Sequence, residues 1–204
     1  MKHQYDIITR PVRYSSNSLK KFSECWDISK GKLVYEFQNW GDEYLVEFYI
    51  TVTHLPTSSW TNVFRFTTLP GIYGSDGDSI PSLFISNDGK FMFHSSVNNN
   101  FNHGLDIDFE LNTMYNVSIG QQIDEDGKYW YEILIDGDSK LKIENKNHRS
   151  YTNVKLYASD SFFDPLITNI GSICNVNIQH QDKGLFALFY AQSSLKYLCS
   201  KVFS

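Results

Sequence analysis

Apolar and polar residues alternate with a period of two through most of this chain. Over residues 43–53 one face carries Tyr44, Val46, Phe48, Ile50 and Val52, and the other carries Glu43, Glu47, Thr51 and Thr53. Successive side chains of a strand point to opposite faces, so this spacing predicts a strand with one dry and one wet side. Tyr115, Val117 and Ile119 repeat the device over residues 114–122, and Leu141 and Ile143 stand between charges over 140–144. Val154, Leu156 and Ala158 form another such face, as do Cys174, Val176 and Ile178. Turn signals separate these runs at Asn87-Asp88-Gly89, Asp126-Gly127 and Asp136-Gly137. Asp-Gly supplies the positive φ of tight hairpins, so the strands are expected to run antiparallel. The pattern predicts about eleven strands, and no helical stretch of about 12 residues before residue 180. Half-buried strands in that number bury their apolar sides best as two packed sheets.

Composition sharpens this. Alanine, the best helix former, occurs at only three positions, Ala158, Ala187 and Ala191, while 16% of residues are aromatic. An all-β domain follows, and a helical bundle is excluded. The chain is 41% hydrophobic and 20% charged, which excludes disorder. A net charge of −5 without clustered Lys and Arg argues against nucleic acid as a partner. No run of 18 apolar residues is present, so no membrane span is expected. The first residues carry no apolar signal-peptide core, which leaves either a cytosolic protein or a leader outside this chain. The cysteines, Cys25, Cys174 and Cys199, are an odd three without metal spacing. They read first as unpaired or buried thiols, with one disulfide plus a spare thiol as the alternative. Three segments are expected: an N-terminal extension over 1–30 that contributes one strand, a sandwich over 31–180, and an apolar tail over 181–204. The tail is expected to pack on the sandwich.

Between residues 42 and 179 the order of segments resembles the concanavalin A-like lectin/glucanase superfamily, and more narrowly its laminin-G/pentraxin-like modules. The resemblance is carried by Glu47-Phe48-Tyr49-Ile50, the run from Ser59-Trp60-Thr61 to Phe66-Thr67, and Gly77-Asp78-Ser79-Ile80-Pro81. It continues through the 111–121 strand, the 128–137 arm ending in Ile135-Asp136-Gly137, and Val154-Lys155-Leu156-Tyr157-Ala158-Ser159-Asp160 before the closing 173–178 strand. It implies a two-sheet antiparallel jelly-roll sandwich whose first and last strands pair. It also implies an extracellular module that binds glycans or protein partners, often with calcium.

Three sets of residues are candidates for chemistry. Sugar recognition needs an aromatic platform and a few polar groups. Trp60, Tyr73, Trp130 and Phe162 lie near loops or on strands facing out, and Asn98, Asn99, Asn100 and Asn102 crowd one loop; of these Trp60, Tyr73, Phe162, Asn98 and Asn100 are the expected ligand-binding residues. Calcium wants six to eight oxygens, and Asp78 and Asp160, in loops at strand ends, are the expected metal ligands. Asp106, Asp108 and Glu110 share one strand face, as the paired carboxylates of a glycoside hydrolase would. A solvated strand edge explains that run more simply, so no catalytic residues are expected. His94 reads as a solvated imidazole on the polar side of its strand. One sequon, Asn116-Val117-Ser118, falls on a predicted outward face. The leading expectation is a non-enzymatic module for glycans or glycoproteins. An adhesion module for other extracellular proteins is the alternative, and a glycoside hydrolase comes third.

Overall fold

The computed structural model describes residues 17–28, 31–71, 73–160 and 169–181. They form thirteen strands: β1 (Asn17–Phe22), β2 (Trp26–Asp27), β3 (Lys32–Trp40), β4 (Tyr44–Val52), β5 (Trp60–Thr67), β6 (Ser82–Ser86), β7 (Lys90–Val97), β8 (Asn100–Asp108), β9 (Met114–Ile123), β10 (Tyr129–Ile135), β11 (Asp138–Glu144), β12 (Tyr151–Ala158) and β13 (Gly171–Gln181). One sheet has the order β1-β13-β4-β9-β10-β11, with β2 also on β13, and the other has β3-β12-β5-β6-β7-β8. Every pairing is antiparallel. The first and last of these strands pair, Asn17 opposite Gln181. Residues 17–28 therefore belong to the sandwich, which begins ahead of the expected boundary and takes two strands from the N-terminal extension. The apolar tail beyond residue 181 lies outside the described residues. No helix among the described residues is long and apolar enough to cross a membrane.

The alternation explains the core. Val46, Phe48, Ile50, Val117, Ile119, Tyr131 and Ile133 of the first sheet face Phe64, Phe66, Leu83, Ile85, Phe91 and Phe93 of the second, all buried. Phe48 and Phe64 meet edge to face at 5.1 Å, a geometry that aromatic quadrupoles favour. At one end Trp40 packs on Phe66 at 4.7 Å and stacks on His180 at 5.2 Å, which ties β3 to β13. The Asn98-Asn99 turn has positive φ at both residues, as a two-residue β7–β8 hairpin requires.

The predicted inward set departs from the structure at one place. Cys174 pairs with Tyr49, but the next paired residue of β13 is Asn177, opposite Glu47. One extra residue is thus inserted, with Asn175 at φ 53°, and this bulge swaps the side-chain faces. Ile173, Val176 and Ile178 point into the core, while Cys174 leaves it and forms a disulfide with Cys25. The first reading of these two cysteines as unpaired is overturned by that contact; Cys199 lies outside the described residues.

Candidate functional site

The outer side of the second sheet is where the structure departs most from a plain wet face. Register aligns Arg65 of β5, Ser82 of β6, His94 of β7 and Gly104 of β8 in one row across it. The long β5–β6 connection, residues 68–81, folds back over this row. Its anchor is Arg65, whose side chain is fully buried between Asp78 and Asp160. The guanidinium Nη1 donates to Asp160 Oδ2 at 2.8 Å, Nε donates to the Asp78 carbonyl at 2.9 Å, and Nη2 pairs with Asp78 Oδ1 at 3.2 Å. The remaining capacity of Asp78 is taken by the Ser79 hydroxyl at 2.5 Å and by backbone N–H groups of Gly74 and Ser75. Asn62 supports the same region, accepting from the Asp160 N–H at 2.9 Å and donating to the Phe64 carbonyl at 2.9 Å and the Leu83 carbonyl at 3.2 Å, where β5 bulges against β6. Asp78 and Asp160 thus come together as expected of a metal pair, and the cation between them is Arg65. No group of three or more His, Cys, Asp or Glu side chains placed to hold a metal occurs among the described residues.

Held in this way, the connection lays Tyr73 on the sheet. Tyr73 and Trp60 are each 38% exposed, with ring centroids 6.1 Å apart and planes inclined by 33°. Phe84, buried beneath them, meets both rings edge-on at 5.3 and 6.2 Å. The Tyr73 hydroxyl donates to Asn102 Oδ1 at 3.0 Å and lies 3.2 Å from His94 Nδ1. Its one proton is given to Asn102, so Nδ1 carries the proton of the imidazole and donates to Tyr73, which leaves Nε2 as an acceptor. Gly104 lets the imidazole lie close against β8: a Cβ there would stand 2.9 Å from His94 Cδ2 and 3.2 Å from Nε2. Asp106 is exposed one step further along β8. The result is a two-ring platform bordered by an amide, an imidazole and a carboxylate.

The expectation that His94 is solvated is overturned. It is 8% exposed, because the folded-back connection and Tyr73 cover the polar side of β7. Burial lowers its pKa from the ordinary 6.5, with Asp106 and Asp78 acting the other way. The folded state then binds fewer protons than the unfolded state as pH falls below about 6.5, so stability declines on acidification through that window. We expect the melting temperature to fall more between about pH 7.5 and about pH 5 in the wild type than in His94→Gln. Equal losses in the two proteins would remove His94 as the cause.

The other expected residues are spread over the rim. Asn100 Oδ1 accepts from the Asn102 N–H at 3.1 Å and so supports the platform's edge. Asn98 is occupied elsewhere, donating to the Glu144 carbonyl at 2.7 Å and accepting from the Lys146 N–H at 2.8 Å. Phe162 lies outside the described residues. Asp76 fastens the connection from its far end: Arg149 donates to it at 2.6 Å and the Tyr151 hydroxyl at 2.9 Å. Asp106 and Asp108 lie exposed on edge strand β8, and Asp108 pairs with Lys90 at 3.5 Å with its side chain 86% exposed. Glu110 follows the strand, exposed, its N–H donating to the Tyr115 hydroxyl at 2.9 Å. Asn102 lies in the asparagine-rich loop expected at the binding rim, whereas His94 and Phe84 were not among the expected ligand-binding residues. Their shared outward register with Trp60 on adjacent strands was the available signal; the Tyr73 contact that joins them is a product of chain reversal.

No protein-family model and no curated protein matches the sequence. Solved structures do match. A mutant of HCR/D superposes with a TM-score of 0.53 at 12% identity over 81% of this chain and 43% of its own. A SAP-like pentraxin from Limulus polyphemus gives 0.49 at 15% identity, over 78% of this chain and 75% of its own. A sialidase from Trypanosoma rangeli gives 0.47 at 10% identity, over 68% and 20%. The fold is the concanavalin A-like jelly-roll sandwich. The chain spans less than half the length of HCR/D and a fifth of the sialidase. At these identities the likeness extends to the fold alone, and function rests on the site.

Proposed function

We propose that this chain is a non-enzymatic binding module for glycans or glycoproteins, using the outer side of the second sheet at Trp60 and Tyr73, and that it works outside the cell. The observation that carries the reading is the pair of half-exposed rings side by side, bordered by Asn102, His94 and Asp106. A sugar presents C–H faces that pack on such rings and hydroxyls that donate to the exposed Asp106 carboxylate. The Cys25–Cys174 disulfide supports the extracellular part, because disulfides persist in oxidising compartments. A glycosidase acid needs a sheltered carboxyl, and the exposed Asp106, Asp108 and Glu110 offer none. A metal ion at Asp78 and Asp160 would have to displace Arg65, so we infer recognition that does not depend on calcium.

The test is a glycan array probed with the purified protein in calcium buffer and again with chelator. Saturable binding of equal strength in both is expected. A blank array would sink glycan recognition for the sugars displayed. Binding lost with chelator would overturn the metal-independent reading. Trp and Tyr anchors also suit a protein partner; binding to a glycoprotein that survives removal of its glycans would establish that second reading.

A further inference from the structure

We propose that Asn116 carries an N-linked glycan, on the opposite side of the sandwich from the Trp60–Tyr73 platform. Asn116-Val117-Ser118 is the one Asn-x-Ser/Thr triplet of the 204-residue chain. Val117 is buried in the core, so its neighbours Asn116 and Ser118 point to the outer side of the first sheet. Asn116 is exposed there. Its backbone is fixed, the N–H donating to Asp136 Oδ1 at 2.8 Å and the carbonyl accepting from the Asp136 N–H at 2.8 Å. Directly across on β4 stands Tyr49, 37% exposed. Residues paired across antiparallel strands have Cβ atoms about 5 Å apart, within reach of an aromatic side chain. The Tyr49 ring therefore offers the first sugar a surface beside its attachment point. The Cys25–Cys174 disulfide independently points to the oxidising route on which such glycans are added.

The transfer balances with a lipid-diphosphate-linked oligosaccharide as co-reactant. The Asn116 Nδ2 forms a bond to the anomeric carbon and gives its proton to a base of the transferase. The anomeric C–O bond breaks, and the lipid diphosphate leaves with the electron pair. Nothing is oxidised or reduced.

The proposal shares only its extracellular route with the function above, and it fails separately. The full chain, sent through the secretory pathway of a eukaryotic host, is compared with Asn116→Gln and Ser118→Ala by mobility before and after peptide:N-glycosidase and by peptide mass. The wild type is expected to run slower and to collapse onto the variants after digestion, while all three bind the glycan array alike. A secreted wild type with unmodified Asn116 would overturn the proposal. A modified wild type retained in the cell while Asn116→Gln is secreted would overturn it too, since the folded face would then not tolerate the glycan.

Discussion

Replacing Arg65 with methionine is expected to cost about 3–5 kcal/mol of folding stability, the range for breaking a buried ion pair by removing one partner. The Arg65 and Asp78 side chains are fully buried and that of Asp160 is 2% exposed. Methionine fills similar space but removes the guanidinium that reaches both buried carboxylates, and desolvated charge makes the loss large. Lysine does not rescue it, because one ammonium cannot reproduce the fork that reaches both carboxylates and the Asp78 carbonyl. Adding Asp160→Asn to Arg65→Met removes one stranded charge and is expected to recover part of the loss, a coupling that a double-mutant cycle reads directly. Urea unfolding of the four proteins makes the measurement. A cost for Arg65→Met below about 1 kcal/mol, the range of exposed pairs, would contradict the buried assignment.

The second large effect is expected from the disulfide. Cys25→Ser combined with Cys174→Ser is predicted to lower stability by about 2–4 kcal/mol. The bridge joins residues 149 apart in sequence, so its removal frees a long loop in the unfolded chain. It also loosens the segment carrying β2, which meets β13 at Ser172–Asp27 and Ile173–Trp26 and through the Ile28 N–H donating to the Gly171 carbonyl at 2.9 Å. Reductant should shift the unfolding midpoint of the wild type towards that of the double variant, and leave the variant unmoved. Equal midpoints for wild type and variant without reductant would show that the bridge contributes nothing.

The strands and their dry faces were legible in the sequence because a sheet repeats every two residues. Val46, Phe48, Ile50, Val117, Ile119, Val154 and Leu156 all stand where alternation puts them. Alternation carries no information about an inserted residue, and so the bulge in β13 sends Cys174 to the other side from Val176 and Ile178. Legibility was lower at the site. Trp60 and Tyr73 were readable as candidate platform residues from type and position, yet nothing in the spacing placed one ring beside the other. Their meeting depends on Arg65, a charged residue within an otherwise apolar and polar-neutral strand, which reaches Asp78 thirteen residues later and Asp160 ninety-five residues later. The same chain reversal buried His94, whose strand position alone describes a wet face. Asp78 and Asp160, singled out as metal ligands from their loop positions, both meet Arg65, a side chain of the protein itself.

The most direct measurement is a calorimetric titration of the tightest sugar from the array into wild type, Trp60→Ala, Tyr73→Ala and Trp130→Ala. Trp130 lies on β10 between buried Tyr131 and partly buried Tyr129, turned to the outer side of the first sheet with its indole N–H donating to Asp124. It serves as the aromatic control on the opposite face. Removing a binding anchor typically costs about 2 kcal/mol or more, so Trp60→Ala and Tyr73→Ala are each expected to weaken binding roughly thirtyfold or more. Trp130→Ala is expected to bind as the wild type does. Full affinity in folded Trp60→Ala and Tyr73→Ala proteins, or a loss confined to Trp130→Ala, would contradict a binding face on the second sheet.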